Sequence, residues 1–123
     1  MEQKICIDTD VAIAILKDEP GGRQFIELAE GREISITAIS AYELQLRRNN
    51  LSEIHDFLAE VEILPFEAKA ASHASAIMKE AEAKGAMPGL QDIFIAATCI
   101  AADRALVTGN RRHFQGIRGL KLV

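Results

Sequence analysis

Apolar and polar positions along the chain switch repeatedly between a period near two and a period near 3.6. Lys4 to Ile7 is a short β-branched run closed by Asp8 and predicts a first strand. Val11 to Lys17 is apolar over a helical length. Pro20, Gly21 and Gly22 break it before a second helical stretch, Arg23 to Glu30, which Gly31 ends. Glu33 to Ile39 alternates and predicts a strand, after which Ser40 opens a helix to about Arg48, stopped by Asn49 and Asn50. Leu51 to Val61 is amphipathic with Ser52 as its expected cap, and Glu62 to Pro65 predicts a brief strand with Ile63 and Leu64 turned inward.

The second half carries the strongest signals. Glu67 to Lys84 is Ala-rich with acids and lysines along one side, and Gly85 supplies a left-handed stop. Asp92 to Ala102 is apolar almost all round, the mark of a helix buried on most faces. Ala105 to Thr108 predicts a strand ending at Gly109, and Leu120 to Val123 one more short strand. The alternation of strands and helices gives an α/β class with a central, mainly parallel, twisted sheet and helices on both faces. At 123 residues a single domain over 1–123 is expected.

Composition narrows the function classes. With 49% hydrophobic and 26% charged residues the chain is of ordinary globular make-up, not disordered or collagen-like. Apolar runs stop well short of the ~20 residues a membrane helix needs, and the start MEQKICIDTD has no apolar signal core, so a cytoplasmic protein with no membrane partner is expected. Cys6 and Cys99 each sit inside an apolar segment and read as small buried hydrophobes. The net charge of -4 argues against a protein that coats nucleic acid through a basic face. That average hides a segregation, because the last twenty residues hold five basic side chains and no acid, leaving 9 basic against 18 acidic in the rest.

Candidate chemistry gathers at element ends. Asp8 closes the first strand, and ligands in open α/β sheets bind outside the carboxyl ends of strands; Asp8, Thr9 or Asp10 equally serves as a helix cap. Glu43 completes the capping box Ser40-Ala41-Tyr42-Glu43, and Arg47 stands one turn on as an ion-pair partner. Asp92 opens the most apolar helix and is a cap or a crevice acid. Three such acids converging within ~4–6 Å repel one another and are tolerable only around a cation, and oxygen-only ligands select Mg²⁺ or Mn²⁺ over zinc. His55, His73 and His113 are isolated, the first two on helix surfaces. No Walker loop, GxGxxG fingerprint or nucleophile elbow is present.

IDTDVAI at 5–13, ISITAISAYEL at 34–44, LQDIFIAATCIAADRALVTGN at 90–110 and the following RRHF resemble, in order and spacing, the PIN domain, and within it the VapC-like ribonuclease toxins of prokaryotic toxin–antitoxin pairs. The resemblance covers nearly the whole chain. It implies an α/β/α sandwich and hydrolysis of RNA phosphodiesters with Mg²⁺ or Mn²⁺. It casts Asp8 and Asp92 as metal ligands, and Glu43 as an acid acting on the metal or through its water. Thr108 is the accompanying hydroxyl residue. Asn110 and His113 stand where many members carry a fourth acid, which leaves the number of metals open; the Asn110 carbonyl is expected to orient a water. Arg111, Arg112 and Arg118 are the expected RNA contacts, with Lys17, Arg47 and Arg48 behind them. The resemblance also implies a homodimer and a small VapB-like antitoxin. The alternatives are a catalytically reduced PIN domain that binds RNA or protein, and a phosphoacceptor receiver domain, which Asp56 in a helical run and the lack of a Lys after ALVT disfavour.

Overall fold

The computed structural model describes residues 4–123; residues 1–3 of the expected domain lie outside the described residues. Four short strands, β1 (Ile5–Ile7), β2 (Ile34–Thr37), β3 (Glu62–Leu64) and β4 (Ala105–Val107), form one all-parallel sheet in the order β3-β2-β1-β4. Ile5 faces Ile34 on one side and Ala105 on the other. β1 is central and buried at all three positions, as a parallel strand covered on both faces must be.

The strand period sorts the core into two. Ile5, Ile7, Ile36 and Val107 point to one face and meet α1 (Thr9–Leu16), α2 (Pro20–Ala29), α3 (Ala38–Gln45) and α4 (Leu51–Glu60) through Val11, Ala12, Ala29, Leu44 and Ile54. Cys6, Leu64 and Leu106 point to the other and meet α5 (Ala68–Lys84), α6 (Leu90–Ala101) and α7 (Arg111–Phe114) through Ala74, Ile77, Ile93, Ala96 and Phe114. The three-layer sandwich expected from the alternation is therefore present. Both cysteines are buried as free thiols, and the Cys99 thiol is held well above its usual range by a hydrogen bond with Cys6 and by burial, which keeps it inert. Among the described residues no helix is long and apolar enough to cross a membrane.

Several boundaries differ from the sequence expectation for local reasons. α2 begins at Pro20, a residue suited to the first helical position, and the break falls at Asp18 with φ 52°. Gly22 lies inside α2 because α1 passes against it: a methyl group there would sit 2.5 Å from the Ala14 carbonyl oxygen. Thr37, not Ser40, caps α3, its hydroxyl accepting the Ser40 N–H at 3.0 Å, so Ser40 and Glu43 form no capping box. Ser52 does not cap α4, which starts after Asn50 at φ 60°. On β3 only Leu64 turns inward, at 4% exposed against 41% for Ile63, because neighbouring strand positions face opposite ways. Gly85 ends α5 at φ 68° as expected.

The last segment is not a full strand. Leu122 makes a single parallel bridge to Leu106, and the chain before it forms the short helix α7, whose Phe114 plugs the core at 1% exposed. Truncating Phe114 to Ala is expected to remove about 3–5 kcal/mol of stability, and Gly22→Ala to destabilise by pushing α2 off α1. Chemical denaturation monitored by circular dichroism checks both; unchanged midpoints would contradict the packing described.

Candidate active site

The sheet order places a switch point between β1 and β4. Chain leaving β1 turns toward β2, chain arriving at β4 comes from the opposite face, and a crevice opens at their carboxyl ends. Asp8 leaves β1 into it and is only 5% exposed. Its Oδ1 accepts the Thr9 N–H at 2.8 Å, and its Oδ2 accepts the Thr108 hydroxyl at 2.7 Å. Asp8 is thus both cap and crevice acid, with one oxygen on α1 and one on the end of β4. Burial pushes its carboxyl up from 3.8 to about 6. The Thr108 and Thr9 bonds pull it down, and the negative charges of Asp10 and Asp92 push it further up.

Asp10 is a site residue that capping logic concealed. Its Oδ2 reaches from the first turn of α1 to the loop after β4, accepting the Gly109 N–H at 3.0 Å and the Asn110 side-chain amide at 3.4 Å. A Cβ at Gly109 would lie 2.6 Å from that oxygen, so a larger residue there would displace the Asp10 carboxylate from its bond. Asn110 spends its amide on Asp10, and its own N–H donates to the Thr108 hydroxyl at 3.0 Å. The sequence signal was the spacing of two acids, Asp8 and Asp10, around a strand end.

Glu43 is tied into the same crevice by a hydroxyl relay. The Thr9 hydroxyl lies 2.6 Å from Glu43 Oε1 and 2.9 Å from Ser40 Oγ; with one proton to give, it donates to the carboxylate and accepts from Ser40. Arg47 makes no ion pair with Glu43, contrary to the surface-pair alternative; the carboxylate turns inward to Thr9. Thr9 therefore does not cap α1 with its side chain but orients Glu43. Asp92 is the third residue of α6, whose cap is Gly89, so it is not the capping acid its position suggested. Its Oδ2 lies 3.2 Å from His113 Nδ1, and His113 is not isolated as expected. His55 and His73 do lie on α4 and α5.

Among the described residues no three Asp, Glu, His or Cys side chains already converge as a metal cage. The donors nonetheless suit a hard divalent cation: they are all oxygen, Asp8 is buried under like charge, and Asp10 Oδ1 is buried with no partner. Asp92 lies close enough to Asp8 for its charge to raise the Asp8 carboxyl, and Glu43 Oε1 is bonded to Thr9.

The basic candidates fan out beside Asp92. Arg111 donates to the Val123 carbonyl and so anchors the terminal segment. Arg112 is exposed, with no ion pair among the described residues, and Arg118 stands 3.5 Å from Glu80 at 86% exposed. Lys17 and Arg48 are exposed and Arg47 half-buried, without a bond to any crevice acid.

A raised folded pKa means that Asp8 favours the fold when protonated. That contribution is complete below pH 3.8 and is lost as pH rises through about 6, a difference of roughly 3 kcal/mol. Thermal melts in chelator should show Asp8→Asn gaining on the wild type between pH 4 and pH 7. Parallel curves would contradict the burial of the charge.

A PIN domain model matches residues 5–120. The chain is 30% identical over 125 residues to Ribonuclease VapC2 of Rickettsia felis, covering 94% of this chain and 93% of that one. It is 29% identical over 126 residues to the tRNA(fMet)-specific endonuclease VapC of Shigella flexneri, covering 96% and 95%. Its fold superposes with a TM-score of 0.83 and 28% identity, over 98% of both chains, on a chain of the crystal structure of VapBC2 from Rickettsia felis bound to a DNA fragment from their promoter. The receiver-domain alternative falls with these matches, and the chain belongs to the PIN domain family, in its VapC-like branch.

Proposed function

We propose that the protein is a Mg²⁺- or Mn²⁺-dependent endoribonuclease, acting in the cytoplasm as the toxin of a toxin–antitoxin pair. The observation that carries this is Asp8: a carboxylate buried at the switch point of a parallel sheet, with Asp10 and Asp92 adding negative charge to it. Relatives that match along nearly the whole chain are named as ribonucleases, and this supports RNA as the substrate.

Asp8 and Asp92 would hold the cation, which would supply Lewis-acid polarisation of the phosphodiester and lower the pKa of water. Thr108 fixes Asp8 from the β4 side by donating to Oδ2, which leaves the carboxylate one orientation. Asp10 and Asn110 tie α1 to the loop after β4 and so hold the two walls of the crevice together. Glu43, oriented by the Thr9 hydroxyl, accepts the proton of the attacking water. Arg112 and Arg118, with Arg111 behind them, take the flanking phosphates, offsetting the repulsion an acidic crevice exerts on RNA.

Solved relatives titled as VapBC, from Rickettsia felis and Salmonella typhimurium, support a VapB-like antitoxin as partner. A cationic side chain offered by such a partner satisfies the crevice acids in the way the metal does, which blocks the site by charge replacement.

RNA cleavage should require added Mg²⁺ or Mn²⁺, stop in chelator, and fall on the order of a hundredfold or more in Asp8→Asn and in Glu43→Gln. Arg112→Ala should weaken binding of all RNA sequences alike and flatten the salt dependence by about one ion. Cleavage that persists in chelator, or an Asp8→Asn protein of full activity, would overturn the proposal.

A further inference from the structure

Beside the acids, on the side away from α1, lies a groove of about 510 Å³. It runs between the end of α5, the 86–89 loop, the first turn of α6 and the segment of α7 and 116–118, and Asp92 is one of its lining residues. The volume falls within the ~300–1,000 Å³ in which small organic ligands are held. Its apolar lining comes from Ile77, Ala81, Met87, Pro88 and Ile117. Small residues at Ala86, Gly89 and Gly116 leave it open, and a Cβ at Gly116 would meet nothing within 4 Å.

The polar side of the lining is unlike the rest of the body, where acids outnumber bases two to one. Lys84, Arg112, Arg118 and His113 face only Glu80 and Asp92 there. Glu80 is shared between Lys84 at 3.2 Å and Arg118 at 3.5 Å, and His113 stands on Asp92, which leaves the Arg112 guanidinium uncommitted among the described residues. An apolar slot for a flat ring, guanidinium and imidazole planes to stack on it, and spare positive charge at its mouth form the combination that recognises an unstacked nucleotide.

We propose that this groove binds the nucleoside next to the scissile phosphate, with the base on the Met87 and Ile117 lining and the adjoining phosphate on Arg112. The groove thereby sets which base flanks the cut. This rests on the nuclease reading for the identity of the occupant. Asp92 lines the groove and its charge reaches Asp8, so the groove adjoins the acids, and the positive mouth complements a polyanion.

Met87 gives a direct test because Met78 lines a different groove, with Phe66 and Phe94, and serves as internal control. The full chain, with ¹³C-labelled methionine methyls, is titrated without metal with each of the four nucleoside 5′-monophosphates, with ribose 5-phosphate and with inorganic phosphate. The expected result is a saturable shift of the Met87 methyl, and not of Met78, with at least one nucleotide. Ribose 5-phosphate and phosphate should bind at least roughly tenfold more weakly. Gly116→Phe, which fills open space and touches no crevice acid, should weaken the nucleotide roughly tenfold and alter the base preference of RNA cleavage, with Mn²⁺ uptake unchanged.

No Met87 response to any nucleotide, or equal affinity in Gly116→Phe, overturns the assignment. So does a Met87 response to the antitoxin alone, which gives the groove to the protein partner. Nucleotide binding as expected in a protein that cuts no RNA with Mg²⁺ or Mn²⁺ supports the groove and overturns the nuclease reading instead.

Discussion

A carboxylate held 5% exposed beside two others of the same sign is unfavourable anywhere in a protein, and Asp8 is tolerated because its surroundings are built to receive it. Two hydrogen bonds satisfy it in opposite directions, one from the first turn of α1 and one from Thr108. Neither donor carries a full positive charge, so the acid remains poorly neutralised by the chain itself. A fold that keeps such a group gives up stability for it, and perturbed carboxylates of this kind gather at functional sites.

The position of that group follows from topology. With β1 inside a parallel sheet, chain among the described residues diverges to opposite faces between β1 and β4. α1 and the loop after β4 form the two walls, and Asp10 bonds one to the other through Gly109 and Asn110. Asp92 enters from the third side because α6 packs across the same strands before feeding β4.

Much of this was legible in the chain. The three-layer class followed from alternating strand and helix periods, and Asp8, Thr108 and Asp92 stood at element ends where crevice residues belong. What was missed has a common cause: side chains within a turn of a helix start serve as caps or as reach-across ligands, and only tertiary placement decides. Thr37 took the capping role assigned to Ser40, freeing Glu43 and Thr9 to bond each other over 34 residues. Asp10 looked like a spare cap and instead bridged to residue 109. α7 and its plug Phe114 were concealed because RRHF is too short to show a period. The last strand is a single bridge, Leu122 to Leu106.

The Asp8–Thr108 bond joins residues 100 apart, and β1 cannot complete its central place in the sheet until β4 pairs with it. Pairing of that span is slow in itself and impossible before the second half of the chain exists. During translation, then, Asp8 and Asp10 emerge with no opposite wall, and the crevice is absent until residues 105–110 have followed them. The crevice therefore assembles in a single step, when the β4 segment docks beside β1 and brings Thr108 to Asp8.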